Sequence, residues 1–196
     1  MSVTVISFIS LDGVTQAPGG AEEDTDGGFA HGGWSQAFFD PELVGGAFDA
    51  ALADADALLF GRRTWQVMAG AWPGRAGDPF ADRMNSIRKY VVSGTLAEAE
   101  LTWGNSALIP ADKAVERVRE LSAGDGGRLL VMGSSALVRA LLSADLVDEL
   151  RLTVMPVLLG GGKSIFPTDG GLRTLRLEST ATSPAGAQLS VYRRAE

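Results

Sequence analysis

The stretch Ala57-Leu58-Leu59-Phe60-Gly61-Arg62-Arg63-Thr64-Trp65 joins a short apolar run to a glycine and two arginines. Four apolar residues followed by a turn-forming glycine are typical of a buried strand that ends at Gly61. A helix beginning at Arg62 would place free backbone N–H groups and the positive end of its dipole at that end of the strand. The stretch therefore predicts a strand–helix unit with an anion-binding turn suited to a phosphorylated ligand. The alternative is a solvent-exposed turn capped by arginine.

The composition limits the class of protein and its partners. The chain has 196 residues, 45% of them hydrophobic and 21% charged, which fits one globular domain over residues 1–196. A net charge of −7 argues against binding to nucleic acid or an anionic membrane. With no cysteine and one histidine, His31, no metal site is expected. The first residues do not resemble a signal peptide, and no apolar run reaches the roughly 18 residues of a membrane span, so we expect a cytoplasmic protein.

Apolar periodicity and turn signals predict the order of elements. Strands are expected over residues 3–9, 57–60, 89–93, 106–109, 128–132, 149–156, 173–178 and 188–193. Helices are expected over residues 40–53, from 62 onward, and over 78–87, 112–121 and 135–142. Alternating strands and helices that give way to strands alone predict an α/β fold: a mostly parallel, twisted sheet with antiparallel C-terminal strands and helices on both faces. Residues 11–33 form a long loop, of the kind that is either functional or disordered.

Three predicted strand ends carry residues suited to phosphate. The carboxyl ends of parallel strands meet at one edge of a sheet, so the three ends are expected to converge on one ligand. Gly133 would allow close backbone approach, and the following N–H groups would face a pyrophosphate. The alternative is that these residues are ordinary helix caps. The candidate ligand-binding residues are Gly61, Arg62, Arg63, Thr64, Ser93, Thr95, Gly133, Ser134 and Ser135.

The charge at these strand ends favours one dinucleotide over another. NAD sites place an acidic residue near the ribose diol, whereas arginine accommodates the 2′-phosphate of NADP. Here Arg62 and Arg63 are present and no carboxylate adjoins them. The sequence therefore favours NADPH over NADH.

Other motifs are weaker. Asp12, just past the first strand, is a candidate catalytic residue that would bind a substrate ring nitrogen or relay a proton; alternatively it fixes the turn. His31 and Trp34 either line a substrate pocket or lie on the surface. Gly160-Gly161-Gly162-Lys163-Ser164 is no nucleotide triphosphatase loop, because Val157 stands where that pattern needs glycine. We interpret it as a tight turn near a ligand, and the acidic residues around Asp24 as a solvated loop.

Taken in order, several of these motifs resemble the dihydrofolate reductase-like superfamily. They are Ser10-Leu11-Asp12-Gly13, residues 59–65, Lys89-Tyr90-Val91-Val92-Ser93 and Gly133-Ser134-Ser135. The tail, residues 146–150 and 156–163, resembles the reductase domain of bifunctional riboflavin-biosynthesis proteins. The resemblance implies one three-layer dihydrofolate reductase-like domain, NADPH as hydride donor, a small heterocyclic substrate and a homodimer.

By position, the resemblance assigns cofactor phosphate to residues 61–64, the 2′-phosphate to residues 93–95 and the pyrophosphate to residues 133–135. Asp12, Gly161 and Gly162 would border the nicotinamide and the substrate. Two departures concern the substrate. Residues 43–46 are apolar where folate reductases have an acid, and the Arg-Arg-Thr-Trp turn is unusual for riboflavin-pathway reductases. We therefore expect a stand-alone NADPH-dependent reductase of a pyrimidine, pteridine or related heterocycle. The alternative is a nucleotide- or flavin-binding protein without turnover.

Overall fold

The computed structural model describes residues 1–124 and 126–195, and eight strands in it form one sheet. The strands are β1 (Ser2–Ser10), β2 (Ala57–Gly61), β3 (Arg88–Ser93), β4 (Ser106–Pro110), β5 (Arg128–Met132), β6 (Glu149–Met155), β7 (Leu175–Thr182) and β8 (Gln188–Arg194). The α-helices are α1 (Gly46–Ala53), α2 (Arg62–Ala71), α3 (Pro79–Ser86), α4 (Ala114–Ala123) and α5 (Ser135–Ser143).

The strand order is β4-β3-β2-β5-β1-β6-β8-β7. All pairings from β4 to β6 are parallel, and β8 pairs antiparallel with both β6 and β7. The expected α/β fold, mostly parallel with antiparallel C-terminal strands, is therefore confirmed. In the described ranges, no helix has the length and apolarity that a membrane span requires.

Helices cover both faces of the sheet, which explains the unbroken apolar run in β2. Successive side chains of a strand point to opposite faces. Leu59 packs in a cluster with Val138 of α5, whereas its neighbour Phe60 packs in a second cluster with Trp65 of α2. Both β2 residues are fully buried. The arrangement is three layers, with α4 and α5 on one face and α1, α2 and α3 on the other.

Several boundaries differ from the sequence expectation, among them the end of β7 at Thr182 rather than residue 178, and two of the differences have a clear physical cause. The helix expected over residues 40–53 starts with a π-helical turn, Pro41–Gly45, where the Asp40 carboxylate accepts a hydrogen bond from the Leu43 N–H, and α1 follows. The strand expected from residue 173 begins instead at Leu175. Arg173 is held outside the sheet because its guanidinium donates to the Leu142 carbonyl and pairs with Asp169.

The long loop of residues 11–33 has little regular structure, but side chains hold it in place. The indole N–H of Trp34 donates to the Gln16 carbonyl at 2.7 Å, and the Ser35 hydroxyl donates to the Pro18 carbonyl at 2.8 Å. These bonds tie the loop to the chain that follows it, so that residues 15–20 lie against the carboxyl edge of the sheet.

Candidate functional site

Strands β2 and β5 end side by side and are joined by a side-chain hydrogen bond. The backbone N–H of Gly61, the last residue of β2, donates to the Ser134 hydroxyl at 2.8 Å. The two strands lead into α2 and α5, which lie on opposite faces of the sheet. Ligands of open α/β sheets bind in the crevice where neighbouring connections diverge in this way. The structure therefore brings two of the three predicted strand ends together.

The turn after β5 has a backbone shape suited to a close ligand. Gly133 and Ser134 have φ angles of 59° and 62°, which are left-handed conformations that non-glycine residues seldom adopt. A Cβ atom on Gly133 would lie 3.3 Å from the Thr64 Cγ2 atom, so the two turns are in close contact. The first N–H bonded within α5 is that of Val138, to the Ser134 carbonyl. The preceding N–H groups have no acceptor inside the helix and are available to an anion.

A cavity of about 990 Å³ opens at these strand ends. It is bounded by β1, residues 15–24, α1, α2 and the first turns of α5. This volume lies at the upper end of typical ligand sites. The predicted residues that line it are Gly61, Arg62, Arg63, Thr64, Gly133, Ser134 and Ser135.

One wall of the cavity is apolar and aromatic. The rings of Phe8 in β1 and Phe48 in α1 stack with centroids 4.9 Å apart. Met68 and Trp72, at the end of α2, extend this wall. No sequence motif marks these four residues. Each follows the ordinary apolar pattern of its strand or helix, so only their meeting across the fold reveals a flat binding surface.

The two arginines of the turn differ in their partners. The Arg62 guanidinium donates to the Gln66 side chain at 3.4 Å, and in the described ranges it pairs with no carboxylate. Arg63 forms ion pairs with Asp24 and Asp26 of the long loop. The acidic segment is largely exposed, as expected of a solvated loop, but the sequence did not predict that its aspartates pair with basic groups distant in the chain.

The third predicted strand end lies beside the cavity rather than in it. The Ser93 hydroxyl accepts hydrogen bonds from the N–H groups of Thr95 and Leu96, and so caps its own turn. Val92 lines the cavity, but Ser93 and Thr95 do not. Trp34 is also absent from the lining, since its side chain is buried against Gln16. The binding roles of these residues stay predictions.

Asp12 holds the glycine-rich turn. Its carboxylate accepts hydrogen bonds from the Gly160 N–H at 2.7 Å, the Leu159 N–H at 3.1 Å and the Ser10 hydroxyl at 2.6 Å. The Ser10 hydroxyl, followed by the Gly160 N–H, lowers the pKa of Asp12 below its usual value. The carboxylate is exposed and lies outside the lining of the cavity, so its geometry is that of a positioning group.

Gly161 and Gly162 line a neighbouring cavity of about 550 Å³, together with His31. Lys163 borders both cavities and connects them. A Cβ atom on Gly162 would lie 2.6 Å from Val14 Cγ1, so the turn packs closely against the start of the long loop.

Among the residues that the structure describes, no three or more His, Cys, Asp and Glu side chains are grouped so that they could hold a metal ion.

The fold defines a dihydrofolate reductase-like α/β protein, with a cavity at the carboxyl ends of β2 and β5. The family model of the RibD C-terminal domain matches residues 1–189, and the chain belongs to that family. The chain is also 29% identical over 158 residues to the uncharacterized protein YyaP of Bacillus subtilis (strain 168), covering 78% of this chain and 80% of that protein. Family membership supports a reductase-like role.

Solved structures share the fold. A putative riboflavin biosynthesis protein from Shewanella sp. PV-4 superposes with a TM-score of 0.76 at 22% identity, covering 100% of both chains. A pyrimidine reductase-like protein from Corynebacterium diphtheriae gives 0.67 at 16% identity, covering 100% of this chain and 92% of that one. Dihydrofolate reductase from Enterococcus faecalis, complexed with NADP(H), gives 0.62 at 14% identity, covering 100% and 97%. At these identities the likeness concerns the fold.

Proposed function

We propose that this protein is an NADPH-dependent reductase of a pyrimidine- or pteridine-type heterocycle, similar to 5-amino-6-(5-phosphoribosylamino)uracil reductase. One observation carries the proposal: the bonded ends of β2 and β5 place two helix N-termini at one cavity, next to a stacked aromatic wall. The first half of this arrangement suits phosphate, and the second suits a flat ring.

The phosphate half fits a dinucleotide. A Cβ atom on Gly133 would crowd Thr64 Cγ2 at 3.3 Å, so glycine keeps this turn compact, and a pyrophosphate would contact the N–H groups at the start of α5. The exposed Arg62 guanidinium, free of any carboxylate in the described part of the chain, would bind the additional phosphate of NADPH. NADH lacks that group, so Arg62 would discriminate between the two cofactors.

The ring half would orient substrate against cofactor. Bound NADPH would supply the hydride for reduction of a polarised C=N or C=O carbon. Phe8, Phe48 and Trp72 would hold the substrate ring flat and exclude water from the reacting face. Asp12 would act through the Gly160 turn that it holds, and an ordered water would supply the proton.

Two measurements on the purified protein test the proposal. Calorimetric titration should give NADPH binding, and NADPH oxidation should follow addition of a ribosylaminopyrimidine or a pterin. Tight NADPH binding without oxidation across both substrate classes would favour the alternative, a nucleotide-binding protein without turnover. A yellow protein that does not bind NADPH would favour the flavin-binding alternative. Either result would contradict the proposed reaction.

We further propose that the protein forms a homodimer through β7. All eight residues of this edge strand are exposed, including Leu175 and Leu177, and Leu172 just before it is 93% exposed. An uncovered edge strand with exposed leucines favours pairing with another chain. Light scattering should give twice the chain mass, and Leu177→Arg should give a monomer. A monomeric wild-type protein at micromolar concentration would contradict the homodimer.

A further inference from the structure

Two carboxylates of the long loop, those of Asp24 and Asp26, form ion pairs with the cations Arg63 and Lys163 beside the cavity. Asp24 Oδ2 lies 2.5 Å from Lys163 Nζ, and Asp24 Oδ1 lies 3.4 Å from Arg63 Nη1. Asp26 pairs with the same two groups, at 3.1 Å from Lys163 Nζ. We call these four side chains the ion-pair cluster. Its two positive and two negative charges cancel.

The cluster lies where an anionic ligand would arrive. Asp24, Arg63 and Lys163 all line the larger cavity, and Arg63 is the second residue of α2. The Asp24 side chain is 17% exposed and that of Lys163 is 32% exposed, so the pair is only partly accessible to water. Hydrogen bonds from Lys163 and then Arg63 lower the pKa of Asp26. The Asp26 carboxylate is therefore held in its charged form.

Neutral contacts hold the same segment in place. The Gln16 side-chain amide donates to the carbonyl oxygens of Asp24 and Asp26, each at 3.0 Å. Its Oε1 atom accepts from the Lys163 N–H at 3.0 Å. Gln16 thus bridges the loop and the glycine-rich turn through backbone groups. Removing the carboxylate charges would leave this bridge intact.

We infer that Asp24 and Asp26 set the anion affinity of the cavity by competing with the ligand's phosphate for Arg63 and Lys163. The inference rests on the proposed function in taking a cofactor phosphate as the competing anion. While the ion pairs of the cluster are intact, a phosphate can bind Arg62 without displacing a carboxylate. It cannot bind Arg63 in this way, because Arg63 is paired with Asp24 and Asp26. Binding through Arg63 and Lys163 requires their ion pairs to break, and this lowers the net affinity.

The variants Asp24→Asn and Asp26→Asn test the competition, with Glu22→Gln as matched control. Each removes one negative charge from the same loop. Among the described residues, Glu22 pairs with neither Arg63 nor Lys163. Inorganic pyrophosphate and NADPH are titrated by calorimetry at fixed ionic strength. We expect each aspartate variant to bind both ligands about 3- to 10-fold more tightly, and the control to change affinity by less than about twofold.

Neutralising the two cations gives an independent check. In an Arg63→Gln/Lys163→Gln background, the aspartate substitutions should no longer tighten binding. Unchanged or weaker pyrophosphate binding in folded Asp24→Asn and Asp26→Asn proteins would overturn the inference, as would equal tightening by Glu22→Gln. The pyrophosphate titration does not depend on a reductase activity. Pyrophosphate binding that responds as expected, in a protein that binds no NADPH, would overturn the proposed cofactor but not the competition.

Discussion

The N–H of Gly61 donates a hydrogen bond of 2.8 Å to the hydroxyl of Ser134, a residue 73 positions later in the chain. This bond links the end of β2 to the turn that follows β5 and so fixes the distance between two helix N-termini. Ser134 adopts a left-handed conformation, with φ 62° and ψ 55°, to present its hydroxyl there. Strain of this kind is maintained where the surrounding structure requires it, often at binding sites.

Substitutions of Ser134 separate the hydrogen bond from the backbone strain. Ser134→Ala leaves the Gly61 N–H without its acceptor and keeps the strain, so the free energy of unfolding should fall by about 1–3 kcal/mol. Ser134→Gly also removes the hydroxyl but relieves the left-handed conformation, and should be about 1 kcal/mol more stable than Ser134→Ala. Urea denaturation measures both. Equal stability of the two variants would show that the conformation carries no strain.

The close contact at Gly133 predicts a second effect. Gly133→Ala adds a methyl group 3.3 Å from Thr64 Cγ2 at a φ of 59°, so we expect a loss of about 1–2 kcal/mol of stability and weaker NADPH binding. Gly70 is the control, because it lies in α2 and a Cβ atom there would meet no other part of the fold within 4 Å. Gly70→Ala should stabilise by about 0.5–1 kcal/mol and leave NADPH binding unchanged. Urea denaturation measures the two stabilities, and calorimetry measures the two NADPH affinities. Equal effects of Gly133→Ala and Gly70→Ala would contradict the close contact at Gly133.

The role of Asp12 is tested by Asp12→Asn. The amide retains one acceptor oxygen for the N–H groups of Leu159 and Gly160, so a positioning role predicts a lower Tm and a kcat loss below about tenfold. The pH profile of kcat should keep both limbs. Asp49→Asn, at an exposed position of α1, controls for the charge change. A loss above about 100-fold that removes one limb would establish Asp12 as the general acid or base.

Because Lys89 is buried, we expect the free energy of unfolding to depend on pH in the alkaline range. Its ammonium donates to three backbone carbonyls and lies 4.5 Å from the centre of the Trp103 ring. Burial lowers the pKa of Lys89 from 10.5 to about 8. Between these values the unfolded chain binds more protons than the folded one, so the free energy of unfolding should rise with pH across that interval.

Comparison of Lys89→Met with wild type isolates this contribution. The difference in stability between the two proteins should change steadily from about pH 8 to about pH 10 and stay constant below that range. Lys113→Met, at an exposed lysine paired with Glu116, is the control. Parallel pH curves for wild type and Lys89→Met would contradict a lowered pKa.

The sequence allowed the sheet and half of the site to be predicted, for identifiable reasons. Gly61 and Gly133 end apolar runs, and parallel pairing then places them together without further information. Ser93 also ends an apolar strand, but its hydroxyl accepts a hydrogen bond from the Thr95 N–H and so caps its own turn. The spacing of residues in the sequence does not predict this hydrogen bond. The pairing of Asp24 with Lys163 spans 139 residues and depends on how an irregular loop folds back. Periodicity carries no signal for such a contact.

The ratio of NADPH to NADH affinity in wild type and Arg62→Ala tests the central claim most directly. Calorimetric titration of both cofactors, at one ionic strength, gives four dissociation constants. We predict that Arg62→Ala weakens NADPH binding about 10- to 100-fold and NADH binding less than about threefold, since NADH lacks the additional phosphate. Equal losses would place Arg62 at the shared pyrophosphate, and no loss for either cofactor would remove it from the site. The first result would contradict the selectivity of the site for NADPH, and the second would contradict a cofactor cleft built on the turn that follows β2.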